Sequence, residues 1–299
     1  MHDEEMVGLR RKRRMAQVVS LTSAVIFLWI LLYGASTVRH ASRIALIYIV
    51  TPTYTRPSQK VDLTTRLSHA FQLAQGIHWI VVEDSDHKTT LVANLLSRTG
   101  LPYTHLHIPT PGHMKRQPHE KPWAKPRGVL QRNEGLRWLR EELQSSNNLD
   151  GFLYFADDDN GYDLELFDEI RIIKRVGVWP VAFVGEVMVE KPLLKDGKIV
   201  GWDVAIKPER EFAVDMAGFA VSVKLLMDHP EAKFDFDQPP GYQETYFLKG
   251  LGLKKEDMEP KAKNCTQVLV WHTKTKEPVL IQEKILNRKG KHTDEGMEV

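Results

Sequence analysis

An apolar run that ends on three successive carboxylates, Phe152-Leu153-Tyr154-Phe155-Ala156-Asp157-Asp158-Asp159-Asn160-Gly161, constrains the fold of this 299-residue chain more than any other stretch. Its aromatic residues suit a buried strand, and open α/β sheets bind ligands beyond the carboxyl ends of such strands. Adjacent carboxylates repel one another. They are tolerable when solvated in an acidic turn, or when a hard divalent cation, which prefers oxygen ligands, neutralises them. This stretch alone leaves both readings open.

The chain before it alternates strand with helix. Ile44 to Val50 reads as a strand ending in the loop Thr51-Pro52-Thr53-Tyr54-Thr55-Arg56-Pro57. Leu63, Leu67, Ala70, Phe71 and Ala74 then recur at helical spacing. Ile77 to Val82 is a second strand, followed by Glu83-Asp84-Ser85; Leu91, Leu95 and Leu96 mark a second helix, and Thr104 to Ile108 a third strand. The outline is the βαβαβ pattern of nucleotide-binding sheets. Pro109 to Pro126, with five prolines, breaks the rhythm and reads as a long loop, either a surface excursion or a lid. Val129, Leu136, Leu139 and Leu143 give the next helix its apolar stripe, with Arg127 and Arg132 near its N-terminal end, where anions bind favourably.

After the three aspartates the texture changes. Leu166, Phe167, Ile170 and Ile173 continue the helical spacing, Val181 to Val184 forms a strand, and Lys195-Asp196-Gly197-Lys198 turns a hairpin. Strand-like material surrounds Asp215, Pro239-Pro240-Gly241 introduces a helix carrying Gln243 and Glu244, and Val268 to His272 ends a late strand. The expected fold class is therefore α/β, a Rossmann-like nucleotide-binding half (44–160) followed by a mixed-sheet acceptor half (161–286) and a polar tail (287–299).

Hydrophobic residues make up 42% of the chain and charged ones 27%, an ordinary globular balance. The net charge of +2 conceals an asymmetry, because residues 1–43 hold 7 Lys/Arg against 3 Asp/Glu, leaving 34 against 36 for the rest. A near-neutral body argues against nucleic acid as a partner. Most of the basic excess is Arg10 to Arg14, just ahead of an uncharged stretch from Met15 to Val38 that is long enough to span a bilayer. The expectation is a cytoplasmic tail (1–14), an uncleaved transmembrane signal-anchor (15–38) and a short stem (39–43), with a cleaved signal peptide as the rival. Everything beyond Arg39 is then lumenal. Cys265, the only cysteine, excludes an intrachain disulfide, and Asn264-Cys265-Thr266 fits the N-glycosylation pattern.

An anchored lumenal α/β domain with carboxylates at a strand end suits a transferase that uses a nucleotide-sugar. A cation on Asp159 stabilises a departing diphosphate, with Asp157 and Asp158 orienting nucleoside or water and Asp84 accepting from base or ribose. The acceptor hydroxyl needs a base, and Glu244 is the candidate. Asp215 lies in so apolar a run that it needs a partner such as Arg210 or a sugar hydroxyl. Glu190 is a further candidate carboxylate. His272, after a strand, is either structural or in contact with the donor.

Taken in order, Thr51-Pro52-Thr53-Tyr54, Val82-Glu83-Asp84-Ser85, Arg127-Gly128-Val129 with Gln131-Arg132-Asn133, Asp157-Asp158-Asp159, Phe212 to Phe219, Gly241-Tyr242-Gln243-Glu244 and Val270-Trp271-His272-Thr273 resemble the β-1,3-glucuronosyltransferases of glycosyltransferase family 43. The resemblance runs from about Ile44 to Pro278. It implies a GT-A-type fold and a single-pass type II Golgi membrane enzyme, its catalytic domain lumenal. The implied reaction moves glucuronic acid from UDP-glucuronic acid to the 3-hydroxyl of a terminal β-galactose, with inversion and with Mn2+. Asp159 matches the metal ligand and Glu244 the base. Pro52, Tyr54, Asp84, Arg127, Arg132, Asp157, Asp158 and His272 match donor-side positions, and Glu190, Arg210 and Asp215 acceptor-side ones. Lys274 stands on the donor side where some members carry Arg, a point charge replacing a planar fork. A homodimer is also implied. The competing expectations are a transferase for another UDP-sugar and a catalytically silent carbohydrate-binding protein.

Overall fold

Three parallel strands and a neighbour from later in the chain set the frame. In the computed structural model, which describes residues 44–299 apart from 118, 122, 123 and 147, together with 22, 23, 27 and 29, β1 (Leu46–Thr53) pairs in parallel with β2 (Ile77–Glu83) and with β4 (Gly151–Phe155), and β2 with β3 (Tyr103–His107). Along each strand alternate side chains serve opposite faces. Tyr48, Val50, Ile80, Val82, Leu153 and Phe155 enter one core layer, whereas Ile47, Ile49, Trp79, Val81, Phe152 and Tyr154 enter the other. A sheet buried on both faces needs helices on both.

The chain supplies them as its spacing predicts. Before β2, α1 (Gln59–Asp62) runs through a π-helical turn (Leu63–Ser68) into α2 (His69–Leu73), and Leu63, Leu67 and Phe71 pack on one face beside Val92, Leu95 and Leu96 of α3 (Thr90–Thr99). Thr89 caps α3 by accepting the Val92 N–H. On the other face lies α4 (Val129–Ser146), whose Val129, Leu136, Leu139 and Leu143 are buried. It lies close because Gly135 meets Val50, where an added methyl would sit 2.7 Å from a Val50 methyl. Each such buried aliphatic side chain contributes about 1.5–3 kcal/mol.

The seven-stranded sheet has the order β11-β6-β10-β4-β1-β2-β3. Strands β6 (Val176–Val178), β10 (Phe219–Ser222) and β11 (Glu259–Pro260) join it from the second half of the chain, and β10 is antiparallel to β4 and β6. A smaller sheet, β5-β12-β7-β8-β9, is built from β5 (Gly161–Tyr162), β7 (Val181–Ala182), β8 (Val189–Lys195), β9 (Lys198–Asp203) and β12 (Val270–Trp271). The β8–β9 hairpin turns at Asp196 and Gly197, both at positive φ, as the sequence predicts. The remaining helices are α5 (Glu165–Arg171), α6 (Val223–Asp228), α7 (Gln243–Gly250) and α8 (Ile281–Asn287). Strand order reverses between β1 and β4, a switch point at which the loops after these two strands face a common crevice.

Some expectations need correction. Asp215 to Gly218 is not strand: Asp215 accepts the Ala217 N–H and caps a 3-10 turn, so β10 begins only at Phe219. Strand β7 stops at Ala182 because Phe183 takes a left-handed φ of 63°. The late strand shrinks to Val270–Trp271. The chain divides into two units, Met1–Ile44 and Ala45–Val299. The proposed tail 1–14 and stem 39–43 lie outside the described residues, as does nearly all of the anchor 15–38. Among the described residues no helix is long and apolar enough to cross a membrane.

Candidate active site

The loops after β1 and β4 meet as the switch point requires, and each of the three aspartates has its own surroundings. Asp157 accepts from Arg132 Nη2 at 2.6 Å, and its carbonyl accepts from the Tyr162 hydroxyl at 2.9 Å. Asp158, 7% exposed, accepts from Thr53 Oγ1 at 2.6 Å and from Arg56 Nη1 at 2.7 Å. Burial raises its carboxyl even against these donors. Asp159 differs. Burial and the charges of Asp157 and Asp158 push its carboxyl up to about 6, and among the described residues no cationic side chain forms an ion pair with it. Its carbonyl accepts from Thr273 Oγ1.

A second group of charges stands beside these aspartates. His272 Nδ1 lies 3.4 Å from Asp215 Oδ2, close enough for an ion pair although Nδ1 has no aligned hydrogen-bond acceptor. Asp215 pushes the imidazole up to about 9, so it is protonated at neutral pH. Burial alone would raise Asp215, but His272 and the Ala217 N–H hold it below the ordinary carboxylate range. Glu244, in the first turn of α7, is half-buried, and burial together with the charge of Asp215 pushes its carboxyl up to about 7. Glu190 and Asp215 line one recess with Trp179, Pro192 and Trp202. Burial raises Glu190, whose Oε1 accepts the Ala205 N–H at 3.1 Å.

Other predicted residues lie further out. Arg210 donates to the carbonyls of Gly241, Ile206 and Lys207, tying the loop before Glu244 to the segment after β9. Asp84 follows β2 and accepts the Thr110 N–H at 2.7 Å, with Lys115 at 3.7 Å. Pro52, next to last in β1, packs against Gly128, Tyr54 lies exposed beneath the Arg56 guanidinium, and Arg127 lies exposed just before α4. Lys274 is exposed and Asn264 is exposed in a left-handed turn.

Comparison with known proteins decides the family. Glycosyltransferase family 43 matches residues 67–276. The chain is 50% identical over 242 residues to mouse galactosylgalactosylxylosylprotein 3-beta-glucuronosyltransferase 2, spanning 81% of this chain and 72% of that protein. It is 48% identical over 255 residues to the human galactosylgalactosylxylosylprotein 3-beta-glucuronosyltransferase 1, spanning 85% and 75%. A Caenorhabditis elegans relative, galactosylgalactosylxylosylprotein 3-beta-glucuronosyltransferase sqv-8, is 48% identical over 240 residues, spanning 80% and 67%. The chain belongs to glycosyltransferase family 43.

The sequence reading of this family-43 enzyme passed over two site residues. Arg56 bridges Asp158 and Asp62, and it sits in the loop quoted above, at the same strand-end position that drew attention to Asp84. Asn160 is fully buried and neither atom of its amide has a partner. The buried side-chain nitrogens and oxygens without an aligned partner, among the described residues, fall largely on Arg132, Asn160 and His272, all beside the three aspartates. Unmet polar groups around an uncompensated carboxylate fit a cation with its oxygen-rich ligand. The carboxylates do not converge into a cage, since two are already bound to arginines. That fits an ion held by one carboxylate and completed by phosphate oxygens and water.

Proposed function

We propose that this chain transfers glucuronic acid from UDP-glucuronic acid to the 3-hydroxyl of a terminal β-galactose, with inversion. The relatives' names support the sugar transferred and a Gal-Gal-Xyl-protein acceptor, and the site supports the division of labour. One observation carries the reading: Asp215 faces both ways, pairing with His272 beside the three aspartates and raising Glu244 on the other side. Donor and acceptor chemistry therefore meet at one buried charge.

In this reading the ionised Glu244 takes the proton of the acceptor hydroxyl as its oxygen bonds to the anomeric carbon, from the face opposite the diphosphate. The bond from that carbon to the diphosphate oxygen breaks, and UDP leaves with the electron pair. Asp159 would hold a divalent cation, Mn2+ in this proposal, which would supply positive charge for the departing diphosphate. Arg132 and the protonated His272 add fixed positive charge there, Arg56 and Asp157 hold the loop, and Pro52, Tyr54, Asp84, Arg127, Asp158 and Lys274 complete the donor side. Glu190, Arg210 and Asp215 orient the galactose. The proposal extends to a Golgi type II enzyme anchored by residues 15–38, to a homodimer, and to glycosylation at Asn264.

The test is UDP release by the purified chain from UDP-glucuronic acid with Mn2+ and a panel of β-galactosides ending in Gal-Gal-Xyl or in N-acetyllactosamine. Transfer that Glu244→Ala abolishes is the expected result. Absence of transfer to every galactose-terminated acceptor sinks the reading, and preference for an uncharged UDP-sugar overturns the donor assignment.

A further inference from the structure

Asp62 ends α1 just before the π-helical turn, is 2% exposed, and accepts three side-chain donors. Arg56 Nη2 reaches its Oδ2 at 2.9 Å, while Arg66 Nε at 3.2 Å and Thr275 Oγ1 at 2.7 Å reach its Oδ1. Each donor belongs to a group or segment that touches the three aspartates. Arg56 Nη1 donates to Asp158 Oδ2 at 2.7 Å; Arg66 Nη1 donates to Thr273 Oγ1 at 2.7 Å, and that hydroxyl donates to the Asp159 carbonyl. Thr275 lies two residues further along the same segment.

Buried ion pairs add little stability over well-packed apolar residues, because desolvation offsets the attraction. What this one supplies is geometry: it ties the stretch 56–66 to the distant segment 273–275 and, through Arg56, to the loop of the three aspartates. We propose that Asp62 is a positioning residue for the reaction proposed above, setting the Asp158 side chain through Arg56 and the Asp159 backbone through Thr273 and Thr275. Both its oxygens are taken up by these protein donors, so it acts through them. Asparagine cannot replace it, because one amide offers a single acceptor oxygen and its NH2 must then face either Arg56 or the Arg66 and Thr275 donors.

The test compares the full chain with Asp62→Asn and with the milder Thr275→Val, which removes one donor and leaves both arginines. Mn2+ binding in the presence of UDP is titrated by electron paramagnetic resonance without acceptor, and KM is measured separately for donor and acceptor. Asp62→Asn is expected to weaken Mn2+ binding about tenfold, as loss of a partner behind a metal ligand does, and to raise donor KM while acceptor KM stays fixed. Thr275→Val moves the same quantities less. Should Asp62→Asn lose its native circular dichroism, Thr275→Val decides. Folded variants that bind Mn2+ as the unmodified chain does, or whose acceptor KM shifts in step with donor KM, overturn the inference while leaving the proposed function standing. An unmodified chain that binds no Mn2+ with UDP overturns both.

Discussion

Glu244 concentrates the conflict between stability and chemistry in one side chain. Its carboxyl is raised from an ordinary value of 4.5 to about 7, so it is a stronger base than an exposed glutamate and is half-ionised near neutrality. Transfer under kcat/KM conditions should rise with pH to a plateau with an apparent pKa near 7, if Glu244 is the base. The stability sign runs the other way. An acid whose pKa is higher folded than unfolded favours the fold while protonated, and that advantage is lost as pH rises from about 4.5 through about 7. Glu244→Gln should therefore abolish transfer yet raise the melting temperature at pH 8 by several degrees, measured by scanning calorimetry. The His272–Asp215 pair behaves conventionally: its contribution through His272 is full at low neutral pH and fades as pH rises through about 9. On the acceptor side, Gly185 has a φ of +61°, and an added methyl there would lie 2.0 Å from Glu190 Oε1. Gly185→Ala displaces that carboxylate, and the expected result is a higher acceptor KM with an unchanged donor KM.

The legibility of each element in the sequence follows from how many buried residues specify it. Strands β1, β2 and β4 and helix α4 carry continuous apolar patterns, and the structure reproduces them to within a few residues. The π-helical turn keeps its predicted anchors, Leu63 and Leu67, but its i→i+5 bonding leaves no trace in spacing that a helix of ordinary pitch also satisfies. Strands β5, β7 and β12 have two residues each, too few for alternation to register, and β12 reaches β5 and β7 only because segments roughly ninety to a hundred and ten residues apart meet. The same holds at the site. Asp159 and Glu244 could be singled out from their motifs, whereas Arg56 gains its meaning from Asp158, 102 residues on, and Asp62 from Thr275, 213 residues on, together with nearby arginines that spacing alone does not mark. One element was wholly illegible: Ala262, Lys263, Asn264 and Cys265 form a left-handed turn with φ between 53° and 58°. Left-handed backbone costs about 1–2 kcal/mol per residue with a Cβ, offset here by Glu169 accepting the Ala262 N–H and by the Cys265 N–H bonding to Lys261. Lys263 is exposed, so Lys263→Gly should relieve part of that strain and raise the melting temperature by roughly 2–4 °C. No change on thermal denaturation would mean the turn is relaxed in solution.

At the scale of the whole molecule, the candidate site and the proposed anchor fall in different stretches of the chain. The unit Ala45–Val299 contains both core layers, the two sheets and every candidate site residue. The uncharged stretch 15–38 would measure roughly 36 Å as a helix, enough to cross a hydrocarbon core of about 30 Å, and under the proposed type II anchor its basic flank would stay cytoplasmic. Removing residues 1–43 should therefore change where the protein resides and not how fast it turns over. The full chain is expected to stay with membranes through an alkaline carbonate wash, and the truncated chain to appear in the soluble fraction with the same kcat on a soluble galactoside. A full chain released by carbonate rules out the anchor; a truncated chain that folds but loses kcat shows that the two units are coupled. Because a membrane confines enzyme and acceptor to one surface, the truncated enzyme should nonetheless fall behind the full chain on a membrane-bound glycoprotein acceptor, and only there.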